Sequence, residues 1–170
     1  MFDGLRGADG FALLDLDEAA RVRALGWRGP ILLLEGVFEA RDLELCSRLG
    51  LWHTVHCDEQ IDMLALHKTH EPHRVFLKMN SGMNRLGFAP ERYRAAWTRL
   101  NALPQVDEIS MVTHFSDADG PKGVAAQGLA QFVGHQAGRD VGRAAGREGH
   151  HDLHGAVGVG LGQGGYGRDQ

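Results

Sequence analysis

Cysteine is scarce in this sequence, with two in 170 residues. Cys46 and Cys57 have neither the number of a disulfide framework nor the spacing of a zinc site. A basic excess is also missing. The chain carries 18 Lys and Arg against 22 Asp and Glu, a net charge of −4, which argues against a broad electrostatic surface for nucleic acid. No run approaches the roughly 20 apolar residues that span a bilayer, so no membrane-embedded protein is expected. The opening residues, MFDGLRGADGF, lack the apolar stretch of a secretory signal. These gaps favour a soluble, reducing, cytoplasmic setting. What is present is sufficient for a core: 43% of the residues are hydrophobic, enough for one modest domain.

That apolar material is unevenly spread. Residues 1–120 hold 10 of the 24 glycines and residues 121–170 hold the other 14. The large apolar and aromatic residues divide as 44 and 10 across the same boundary. A stretch such as GAVGVGLGQGGYGRDQ buries little, and each glycine loses extra backbone entropy when ordered. The chain therefore divides into a folded part, 1–120, and a low-complexity tail, 121–170, expected to be largely disordered. Such a tail arises as a flexible extension, as an interaction segment, or as out-of-frame translation of GC-rich coding sequence. The last suits the abruptness of the change.

Four apolar runs in the first part read as strands: Ile31 to Glu35, Trp52 to His56, Arg74 to Lys78 and Glu108 to Thr113, with Phe11 to Leu14 as a fifth. Between them lie helical patterns. Asp15 to Leu25 starts acidic and is closed by Gly26 and Pro30; Glu39 to Leu49 is closed by Gly50. In Asp58 to Lys68 the spacing places Ile61, Leu64 and Ala65 on one face. Pro90 suits the first position of a helix, in which Tyr93, Ala96, Trp97 and Leu100 share a face. Alternation of strand and helix predicts an α/β fold with a parallel sheet, either open or part of a barrel. Four or five units make about half of an eight-unit barrel. Such a half-barrel has two open edges and is expected to aggregate or be molten when isolated.

In both architectures ligands gather at the carboxyl ends of the strands. Two of those ends carry reactive side chains. The first reads Lys78-Met-Asn-Ser-Gly-Met-Asn-Arg85-Leu-Gly-Phe88. Arg85, between two turn-permitting glycines, suits a carboxylate through two parallel hydrogen bonds; an arginine paired with a surface acid gives the same spacing. The second reads Thr113-His114-Phe115-Ser116-Asp117-Ala118-Asp119. An imidazole there is placed to meet a planar ligand or to be satisfied within the rim. His53 and His56 fall on opposite faces of a strand and form no metal pair. His67, His70 and His73 surround a loop and are expected to be solvated. His150, His151 and His154 lack supporting ligands, so no metal is expected.

The segment from Lys78 to Phe88 resembles the signature of bacterial alanine racemases, in which a lysine precedes a D-T-G-M-x-R-L-G-type stretch. Thr113-His114-Phe115 with Ser116 to Asp119 resembles the next strand end of that family. Ala8-Asp-Gly-Phe11, Glu18-Ala19 and Pro30 to Gly36 resemble earlier βα units. The likeness runs over roughly residues 7 to 127, with Asn80-Ser81 in place of the usual Asp-Thr pair. It implies a partial (β/α)8 TIM barrel, about strands 2–6. In the family this barrel precedes a β-rich domain in a homodimer.

The resemblance also implies chemistry: pyridoxal 5'-phosphate as cofactor, alanine as substrate, and D-alanine for peptidoglycan as product. Arg85 matches the arginine that binds the substrate carboxylate and the cofactor's phenolic oxygen. Lys78 matches a lysine often carbamylated by carbon dioxide, and His114 a histidine beside the pyridine ring. The Schiff-base lysine is expected before Gly4, and none of Lys68, Lys78 and Lys122 corresponds to it. The partner subunit's catalytic tyrosine has no counterpart either, Tyr166 standing alone in a glycine run. No catalytic residue is therefore assigned, and the chain is read as an inactive fragment. Alternatives are a cofactor-homeostasis protein on the same barrel, or a gene remnant.

Overall fold

The structure, a computed structural model, describes residues 2–5, 7–69 and 71–116. The tail at 121–170, with Lys122, His150, His151, His154 and Tyr166, lies outside the described residues, as do His70, Asp117 and Asp119.

After a 3-10 turn at Phe2–Leu5, strands and helices alternate without exception. They are β1 (Phe11–Leu13), α1 (Leu16–Ala24), β2 (Ile31–Leu33), α2 (Asp42–Leu49), β3 (Trp52–Val55), α3 (Asp58–Leu66), β4 (His73–Met79), α4 (Pro90–Asn101) and β5 (Val106–Thr113). Local chemistry sets the boundaries. The Asp15 side chain accepts from the Glu18 amide at 2.7 Å and so caps α1. Gly50 closes α2 in the left-handed conformation, φ 58°. Pro90 opens α4, where its missing N–H is harmless.

All neighbours in the sheet are parallel, and the strand order is that of the sequence, β1 to β5. A doubly wound open sheet reverses direction and places helices on both faces. A sequential order with crossovers of one hand puts every helix on one face. The five strands therefore form an arc of a barrel, which resolves the choice that alternation left open.

The two faces of that arc are distinct. Ile31, Leu33, Val55, Val75 and Leu77 point outward and pack with Leu43, Cys46, Ile61, Leu64, Ala96 and Leu100 of the helices. The inner face carries Leu32, Trp52, Phe76 and Lys78, with the Trp52 and Phe76 rings stacked at 5.7 Å. Ala65 departs from expectation: it is exposed, while Ile61 and Leu64 are buried in the core and Met63 packs against it. No helix among the described residues is long and apolar enough to cross a membrane.

The histidines expected to be solvated are a second correction. β4 begins at His73, one residue before the apolar run. Strand parity then places His73 on the outward face with Val75 and Leu77, and it is 2% exposed. His53 lies on the same face of β3, and its Nε2 is 3.3 Å from His73 Nδ1. The His67 ring, just past α3, stands 5.2 Å from that of His73. Burial holds the imidazoles neutral: His53 is lowered to about 3 and His73 to about 4.

Candidate functional site at the carboxyl ends of the strands

The segment after β4 folds back on its own strand. The Phe88 amide donates to the Lys78 carbonyl and the Asn80 amide to the Phe88 carbonyl, both at 2.9 Å. Residues 79–88 thus form a closed loop beside the strand end. Gly87, φ 116°, makes this possible, because a Cβ there would stand 2.8 Å from the Asn80 nitrogen. Inside the loop, Asn80 Oδ1 accepts from the Gly82 and Asn84 amides, each at 3.1 Å, and its Nδ2 donates to Asn84 Oδ1 at 3.0 Å. A local side-chain acceptor of this kind replaces backbone pairing. The Asn at 80 therefore keeps the acceptor an aspartate would supply. Ser81 likewise keeps a hydroxyl, which lies 2.7 Å from Thr113 Oγ1 and donates to the His114 carbonyl at 3.3 Å.

This loop brings the sequence-derived candidates to one rim. Lys78, the penultimate residue of β4, lies on the inner face and is half-buried; Arg85, in the closed loop, is exposed. His114, also exposed, follows β5 directly. The link between the Arg85 loop and His114 runs through Ser81 and the backbone. Lys78 is held below the usual lysine range, first by burial and then by the Arg85 charge, with Glu35 acting in the opposite sense.

Three further residues stand at this rim: Glu35 and His56, which the sequence marked only as strand ends, and Gln60, which it did not mark. Glu35 follows β2, His56 follows β3, and Gln60 sits in the first turns of α3. Gln60 is 3% exposed and fully engaged. Its Nε2 donates to the Val37 carbonyl at 3.0 Å and to the Glu35 carbonyl at 3.2 Å, and its Oε1 accepts from the His56 amide at 2.8 Å. His56 Nε2 also lies 3.1 Å from the Glu35 carbonyl. Burial lowers the His56 imidazole, opposed by that carbonyl. Gly36, φ 73°, lets the turn pass, since a Cβ would collide with the Thr54 carbonyl. The one readable sign of this arrangement was a Glu-Gly pair directly after an apolar run.

Chemically the rim offers two cations, one of them partly desolvated, with an adjoining imidazole and a carboxylate. That set suits a small anionic ligand with a planar part. Among the described residues, no group of three or more His, Cys, Asp or Glu side chains is placed to hold a metal ion.

Comparison with known proteins places this geometry. Residues 3–147 match the family described as alanine racemase, N-terminal domain. An alanine racemase of Paracidovorax citrulli is 85% identical over 126 residues, covering 74% of this chain and 34% of that relative. One from a Polaromonas species is 84% identical over 127 residues, covering 75% and 35%. The chain thus spans about a third of the length of the curated relatives it matches. Among solved structures, the biosynthetic alanine racemase of Pseudomonas aeruginosa superimposes with a TM-score of 0.72 at 38% identity, covering 79% of this chain and 38% of that one. The histidine racemase of Leuconostoc mesenteroides gives 0.63 at 31% identity, covering 81% and 36%. With sequential parallel strands and a closed Lys78–Phe88 loop at their carboxyl rim, the chain belongs to the alanine racemase family and carries part of its N-terminal barrel domain.

Proposed function

We propose that this chain forms one wall of a pyridoxal-phosphate-dependent amino-acid racemase site, with alanine as substrate and D-alanine for peptidoglycan as product. The observation that carries the reading is the closed 79–88 loop, which holds Arg85 beside Lys78 and is tied by Ser81 to the end of β5. Alanine is chosen on the curated relatives at 84–85% identity.

In this reading Arg85 binds the substrate carboxylate through its planar fork and also meets the cofactor's phenolic oxygen. His114 borders the pyridine ring. The partly desolvated Lys78 fits such a site: its lowered ammonium leaves more free amine to add to carbon dioxide, with the released proton passing to water. The resulting carbamate anion orients Arg85 by a charge-assisted hydrogen bond. Pyridoxal phosphate, when bound, supplies the electron withdrawal that lets the α-proton leave. The residues present thus hold the substrate and the cofactor's oxygen side.

None of Lys68, Lys78 and Lys122 is assigned to bond the cofactor, so we propose that the 170-residue polypeptide has no turnover by itself. The working assembly is taken as a homodimer in the cytoplasm, with residues 1–120 as the barrel portion and 121–170 as a separate low-complexity segment. A transplant tests the function. Residues 7–116 placed in the Paracidovorax citrulli racemase should retain L-to-D conversion, whereas the chain alone with cofactor and L-alanine should give none above a no-protein control. Loss of conversion in a folded transplant would overturn the reading.

A further inference from the structure

We infer that Gln60 is a positioning residue of the strand-end rim: its buried amide pins the β2–α2 turn to the end of β3 and thereby sets where Glu35 and His56 stand beside Lys78. The inference rests on the proposed role of Lys78 and extends it to a residue that acts through the main chain around it.

Three features converge on Gln60. Each of its hydrogen-bonding groups is used: the amide meets the backbone carbonyls of Glu35 and Val37 and the backbone amide of His56, and its Nε2 also lies 3.2 Å from His56 Nε2. The bonds therefore fix main-chain position at two strand ends. Gly36 leaves no slack, because a Cβ at that residue would meet the Thr54 carbonyl and stand 2.7 Å from Gln60 Nε2. Finally, the β3–β4 ladder pairs Val55 with Leu77, so His56 and Lys78 are the next residues on adjacent strands. The His56 ring contacts the Glu35 carbonyl at 3.1 Å. Glu35 and His56, just past β2 and β3, thus stand near Lys78 at the carboxyl end of β4, and the first two are located by one amide. The Glu35 carboxylate favours the charged form of Lys78. Displacing the turn weakens that influence and leaves burial and Arg85 to lower the ammonium further.

The test follows Lys78 by carbon NMR of the chain after ¹³C-methylation of its lysines, with Lys78→Arg assigning the signal. Gln60→Leu should lower the Lys78 titration midpoint by about half a pH unit, leaving Lys68 unchanged. Glu35→Gln should lower it similarly, and Gln60→Leu should add nothing in the Glu35→Gln background. Leu64→Ala, which weakens the same helix, should leave Lys78 where it was. Should Gln60→Leu not fold, Gln60→Asn keeps a neutral amide but falls one methylene short of its partners, and should give a smaller shift in the same direction. Equal shifts in the Gln60 and Leu64 variants, or an unmoved Lys78 in Glu35→Gln, would overturn the inference. The experiment uses neither cofactor nor alanine, so its failure is separable from failure of the transplant.

Discussion

Mild acid is expected to destabilise this fold through two histidines. His53 and His73 are 1% and 2% exposed, with values lowered from 6.5 to about 3 and about 4. Burial is the main cause and neighbouring imidazoles the second. A group whose folded value is depressed contributes stability above its unfolded value, and that contribution disappears as pH falls toward the folded value. At pH 5 both imidazoles are still neutral in the folded chain, while both are protonated once it unfolds. The loss therefore depends only on the interval of about 1.5 pH units below the unfolded value. At about 1.4 kcal/mol per unit, each histidine removes about 2 kcal/mol, and the pair about 4 kcal/mol. Domains of this size have total stabilities of about 5–15 kcal/mol. Urea unfolding followed by tryptophan fluorescence should therefore show a much lower midpoint at pH 5 than at pH 7. In His73→Leu the difference between the two pH values should shrink by about half, with His56 contributing equally to both proteins. An equal pH dependence in wild type and His73→Leu would refute the reasoning.

Other substitutions probe the frame and the rim. Arg23→Lys should cost about 2–3 kcal/mol by urea unfolding, because the guanidinium donates to the carbonyls of Trp27, Gly29, Leu49 and Gly50 at 2.7–3.2 Å and an ammonium cannot span them. Gly36→Ala should cost more than about 3 kcal/mol, since it adds a Cβ against the Thr54 carbonyl at positive φ; circular dichroism should show a largely unfolded chain. Tyr93→Phe should cost about 1 kcal/mol and lower Tm by a few degrees, because the buried hydroxyl donates to the Leu77 carbonyl at 3.0 Å.

The strands were legible because buried parallel strands are continuous apolar runs, and Ile31–Leu33 is buried throughout. The choice between open sheet and barrel was not legible in the alternation, which both share; the family resemblance supplied the barrel, and the sequential strand order bears it out. His73 was misplaced because a histidine before an apolar run resembles a loop residue; only the register with Val106 shows it inside the strand. Arg85, Lys78 and His114 were found because they stand at strand ends and resemble a family signature. Gln60 was invisible for the opposite reason. Three of its four contacts are to backbone groups, which leave no pattern in the side-chain sequence, and the fourth is to the His56 ring.

The central claim is that the rim bearing Arg85 holds the amino acid, and alanine kinetics in the transplanted racemase test it most directly. Arg85→Lys should raise KM and lower kcat together, while Arg48→Lys, at the far end of α2, should change neither. Unaltered kinetics in Arg85→Lys, or an equal loss in Arg48→Lys, would contradict the account.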